Sequence, residues 1–75
     1  MSFETLMTDD LIRIAAAGGG FRLFPGVRPV DELVRIATAA ESGGALVFLL
    51  GMSTYMTDDL VRIATAGKGH VVFED

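Results

Sequence analysis

The sequence predicts an α/β protein of short tandem helix–strand repeats, β-αβ-αβ-αβ, with a small parallel sheet, helices on one face and a solenoid-like layout. Three observations carry this. The segments MTDDLIRIAAAG (7–18), PVDELVRIATAA (29–40) and MTDDLVRIATAG (56–67) share one pattern of acids, branched aliphatics, arginine and alanines. Each is followed by a break containing glycine and then by a short apolar stretch: FRLF (21–24), ALVF (45–48) and HVVF (70–73). The spacing from Asp9 to Asp31 to Asp58 is 22 and then 27 residues, the size of one supersecondary unit in repeat proteins. The chain is thus a single domain over residues 1–75, with repeat 1 at 7–28, repeat 2 at 29–51 and repeat 3 at 56–75. Residues 2–6 read as the partial strand of a preceding unit, because Phe3 precedes Asp9 much as Phe24 precedes Asp31.

The first helix is expected to start at Thr8, whose hydroxyl suits a cap, with Asp9 and Asp10 favourable beside the positive end of the helix dipole. Leu11, Ile12, Ile14 and Ala15 fall on one broad apolar face. Asp9 and Arg13 lie opposite it, four residues apart, a spacing that permits a weak pair. The middle helix carries Pro29 where a first-turn proline is tolerated. The third repeats the first, with Thr57 as its cap. Gly18, Gly43 and Gly67 stand where a left-handed C-cap is expected. Helices of about two to three turns are marginal alone in water, so packing must hold them. The segments after the glycines are branched or aromatic and read as strands. Right-handed crossovers would make the strands parallel and put every helix on one face.

That layout leaves one face too many. A sheet covered on one side should alternate apolar and polar residues, yet Leu46, Phe48 and Leu50 point opposite to Val47 and Leu49. The last strand is apolar on both sides as well. Phe24, Leu46, Phe48, Leu50, Val71 and Phe73 are therefore the candidate interface, and a homo-oligomer or a protein partner is expected to cover it.

Composition narrows the function classes. The 75 residues carry no cysteine and one histidine, which excludes disulfides and makes a structural zinc untenable. A net charge of −4 lacks the basic stripe that nucleic acid requires. The longest apolar run, Ala45 to Leu50, is far short of a membrane span. The start MSFETLMTDD has neither the basic residues nor the apolar core of a secretory signal, so a cytoplasmic protein is expected.

Arg13, Arg35 and Arg62 recur at one position and could form an anion-binding ladder; pairing with Asp9, Asp31 and Asp58 on their own helices is the simpler reading. The pairs Asp9–Asp10, Asp31–Glu32 and Asp58–Asp59 suit helix starts better than a calcium loop. AGKGH (66–70) follows a helix and precedes a strand, the reverse of a phosphate loop. His70 and Glu74 share a strand face more than about 12 Å apart by strand rise, and no serine or cysteine arrangement completes a nucleophile. No catalytic residue, metal ligand or cofactor is assigned. A site shared between subunits through His70 and Glu74 is the one enzymatic alternative. Tyr55 is expected to staple the third helix or face a partner. Met7, Met52 and Met56 are expected in the core.

The unit D-[DE]-L-[IV]-R-I-A-x-A followed by glycine and a strand resembles small bacterial tandem-repeat proteins of uncharacterised function, a likeness that implies a repeat fold and no activity. Over residues 3–75 the architecture also resembles a leucine-rich-repeat solenoid. The chain has no asparagine and lacks LxxLxL spacing, so that family's ladder and recognition role do not carry over. A self-associating module for assembly or protein binding is the expected function, with an oligomeric binder of a small anion or nucleotide as the alternative.

Overall fold

The computed structural model of the protein describes residues 3–75. A single 3-10 turn, Phe3–Thr5, leads into α1 (Thr8–Ala16), β1 (Phe21–Leu23), α2 (Val30–Gly43) and β2 (Val47–Leu49). A second 3-10 turn, Met52–Thr54, leads into α3 (Thr57–Gly67) and β3 (Val71–Phe73). The strands form one parallel sheet in the order β1-β2-β3. Phe21, Arg22 and Leu23 lie opposite Val47, Phe48 and Leu49, which in turn lie opposite Val71, Val72 and Phe73. Among the described residues no helix is long and apolar enough to cross a membrane.

The predicted leading strand is corrected. Ser2 lies outside the described residues, and Phe3–Thr5 turn instead of extending. The better match for FETLMTDDL (3–11) is MSTYMTDDL (52–60), which also opens on a 3-10 turn before its helix. Phe3 therefore corresponds to Met52, in the turn before the helix, and the sheet has three described strands.

The core lies between the helices and one face of the sheet. Leu11, Ala15, Leu33, Ile36, Ala37 and Ile63 supply the helical side, and Phe21, Leu23, Val47 and Leu49 the strand side. Burial alternates in β1 because Arg22 points away from this core between buried Phe21 and Leu23. α2 sits between α1 and α3, so its Leu33, Ile36, Ala37 and Ala40 all reach 0% exposure.

The helix ends depart from the expected chemistry. Met7 and Met56, not the threonines, are the N-cap residues, and neither end has a side-chain cap. The Thr8 hydroxyl instead donates to Glu32 Oε1 on α2 at 2.5 Å. Pro29 is the N-cap of α2, immediately before its first helical residue. Gly18 does adopt a left-handed φ of +96°. Gly43 and Gly67 are the last helical residues, and the left-handed caps are Gly44 and Lys68. Met52 is buried as expected, whereas Met7 and Met56 are exposed. Tyr55, just before the α3 cap, packs half-buried against the core.

Lys68 is the described non-glycine residue with positive φ, at 48°. Because a side chain in this region costs free energy that glycine avoids, Lys68→Gly is expected to gain about 0.5–1 kcal/mol, after the loss to unfolded-chain entropy. The urea midpoint reads this directly. A lower midpoint would mean that the lysine side chain contributes more than its backbone strain costs.

Candidate functional site

Three surfaces collect the residues singled out in the sequence. The first is the sheet face turned away from the helices. Arg22, Phe48 and Val72 form one cross-strand row on it. The Arg22 guanidinium carbon lies 5.1 Å from the centroid of the Phe48 ring. Its Nη2 donates to Glu74 Oε1 at 2.5 Å. Arg22 thus reaches from β1 over β2 to the residue after β3, and screens part of Phe48 from water. An exposed ion pair and a cation–π contact contribute at most about 1 kcal/mol each, so this strap is easily displaced. Leu46, just before β2, remains 43% exposed and Phe24, just after β1, 53% exposed, so they flank the row along the strand direction. Phe48, Leu50 and Val72 are half-buried.

This face unites four of the six predicted interface residues, Phe24, Leu46, Phe48 and Leu50, at its centre or margins. It does not include the other two. Val71 aligns with Val47 and Phe73 with Leu49, and both pack against the core on the helix side. Their place among the uncovered residues is taken by Val72 and by the partly shielding Arg22.

The second surface is the row of helix-borne charges. Arg35 Nη2 lies 3.4 Å from Asp9 Oδ1, and Arg62 Nη2 lies 2.7 Å from Asp31 Oδ1. The expected pairs within each helix are therefore replaced by pairs between neighbouring helices. Among the described residues the one same-helix ion pair is Arg62 with Asp59, at 4.0 Å. Arg35 and Arg62 thus each face an aspartate of the preceding helix in an exposed, weak pair. Arg13 has no ion pair with a described residue. It lies on the outer side of α1 with Leu6, Asp10, Ile14 and Ala17, where these residues line a shallow depression.

The third is an open groove of about 740 Å³ where the N-terminal ends of α1 and α2 meet the chain leaving β1. Glu4, Arg28, Glu32 and Arg35 line it together with apolar Met7, Phe24 and Val27. Arg28, which the sequence motif does not single out, ties this corner together. Its Nε donates to Thr8 Oγ1 at 3.2 Å, and its Nη2 donates to the Leu6 carbonyl. The Glu4 carboxylate accepts from the Phe24 amide at 3.0 Å. Such mutual pairing makes the groove's polar groups part of its wall.

Within one chain His70 and Glu74 have separate partners. His70 Nδ1 lies 2.8 Å from the Ala45 carbonyl oxygen. A carbonyl can only accept, so that nitrogen carries the proton. Glu74 is held by Arg22. Among the described residues no group of three or more histidine, aspartate or glutamate side chains is placed to hold a metal ion. Comparison with protein-family models, curated proteins and solved structures finds no match to this chain.

Proposed function

We propose that this is a cytoplasmic, solenoid-like repeat module that associates with copies of itself, its work being assembly rather than chemistry. The observation that carries this reading is the uncovered sheet face. The helices cover the side bearing Phe21, Leu23, Val47 and Leu49, whereas on the opposite side Leu46 is 43% exposed and Phe48 and Val72 are half-buried, with Arg22 lying over Phe48 to pair with Glu74. Apolar residues grouped on one face, with a removable polar strap across them, suit a surface buried on association. The pairing of Arg35 and Arg62 with aspartates weighs against the anion-binding alternative.

Mass in solution tests the reading. The wild-type chain is expected to shift from smaller to larger species as its concentration rises. Leu46→Asp places a charge on the uncovered face at a residue already 43% exposed. Association should weaken about tenfold or more, because a desolvated lone charge costs more than about 1.4 kcal/mol. Unchanged circular dichroism would show the fold intact. Equal association of variant and wild type would remove this face from the interface, and a wild-type mass that never changes from the single chain would remove self-association itself.

A further inference from the structure

The helical layer ends in two unlike faces, each matching the surface that meets the other inside the chain. The motif places Ile14, Ile36 and Ile63 at one position, and Ala15, Ala37 and Ala64 at the next. Ile36 and Ile63 are at 0% exposure, whereas Ile14 is only half-buried. Conversely Ala15 and Ala37 are at 0%, whereas Ala64 is exposed. Val61 is 56% exposed, although Ile12 and Val34 at the same position pack against the core. The side of a helix that meets its predecessor is thus open on α1, and the side that meets its successor is open on α3.

The charges follow the same rule. Asp9 and Asp31 each pair with the arginine of the next helix. That arrangement leaves Arg13 at one end and Asp58 at the other, neither with an ion pair to a described residue. The hydroxyls repeat the pattern. Thr8 donates across to Glu32 of the next helix. Thr57 and Asp10, at the corresponding motif positions, are both exposed on the end faces.

Building on the proposed self-association, we infer that a second copy of this chain docks end to end. The outer face of α3 on one copy, with Asp58, Val61 and Ala64, packs on the outer face of α1 on the next, with Arg13, Ile14 and Ala17. Asp58 and Arg13 form the third rung of the ladder begun by Asp9–Arg35 and Asp31–Arg62, and Thr57 meets Asp10. The contact joins two different surfaces, so it is directional and leaves a free end at each addition, which yields open chains of copies unless the rotation closes a ring. It is also separate from the sheet face, whose burial would pair copies front to front.

Charge reversal at the two exposed ends tests this. Arg13→Glu and Asp58→Lys alone each set like charges opposite one another, and each is expected to weaken the concentration-dependent growth in mass about tenfold or more. In an equimolar mixture the two variants can alternate along the chain. Every junction then joins opposite charges, the two native side chains at one and the two substituted side chains at the next, and growth should return. Two results overturn the end-to-end contact: single variants that assemble like wild type, or a mixture that stays as small as its components. Wild type that assembles while the variants are indifferent leaves self-association standing and removes only this geometry. Wild type that never assembles removes both.

Discussion

Gly43→Ala is expected to destabilise the protein by about 2–4 kcal/mol, within the range of overpacking at a site that cannot give way. A chain of this length has about 4–11 kcal/mol of total stability at typical values per residue, so much of it would be lost. A Cβ on Gly43 would stand 2.1 Å from the Ala15 carbonyl oxygen and 2.6 Å from that of Ala16. Both are backbone atoms of α1, and neither can rotate aside. Relief requires the last turns of α1 and α2 to separate. That would open the seam where Ala15 and Ala40 are now at 0% exposure. Helix propensity acts in the opposite direction, since alanine is favoured over glycine by about 1 kcal/mol inside a helix. The steric term is larger and decides the sign. Gly44→Ala provides the comparison. Its φ is +73° and its Cβ would meet open space, so only the left-handed penalty of about 1–2 kcal/mol applies. Denaturant midpoints of the two variants should fall in that order. If Gly43→Ala were the milder change, Gly43 would be serving chiefly as the helix terminator that its place in the sequence suggests.

That contrast shows what was legible before the structure. The motif located all three helices and the order of helix and strand, because its apolar face recurs with helical spacing and glycine follows it. It made Gly43 the left-handed cap, whereas Gly43 is the last helical residue and Gly44 takes that conformation, so the close approach of Gly43 to α1 was hidden. Strand orientation was ambiguous where it mattered. Val71, Val72 and Phe73 are all apolar, and either side could have faced the helices. Arg22 held the missing information: a charge between two apolar neighbours points outward, and register carries that orientation to Phe48 and Val72. The ion pairs were misplaced for a related reason. In a repetitive sequence the arginine four residues ahead and the arginine of the next helix are chemically identical partners for an aspartate, and only the spacing of neighbouring helices decides between them. The unequal ends of the helical layer were beyond periodicity altogether, since identical motif positions differ there solely in whether a neighbour exists.

Leu33→Ala is expected to cost about 2–5 kcal/mol, the range for removing a fully buried leucine and leaving a cavity. Leu11, Leu33 and Leu60 share one motif position, yet their surroundings differ. Leu33 stands at 0% exposure on the middle helix, with α1 and α3 on either side, while Leu60 on the terminal helix is only half-buried. Truncation at Leu33 removes contacts from a site enclosed by fixed helices, which cannot close over the gap without disturbing their neighbours. At Leu60 part of the side chain already meets water, so less transfer free energy is lost and the smaller void is open to solvent. The expected loss for Leu60→Ala is about half that for Leu33→Ala. Val61→Ala, at 56% exposure, should change the stability of the dissociated chain by no more than about 0.5 kcal/mol. Urea titrations at the lowest workable concentration measure all three without interference from association. Equal costs at Leu33 and Leu60 would mean that α3 is covered on its outer side even in the single chain, and Asp58, Val61 and Ala64 would then have no open face to offer a second copy.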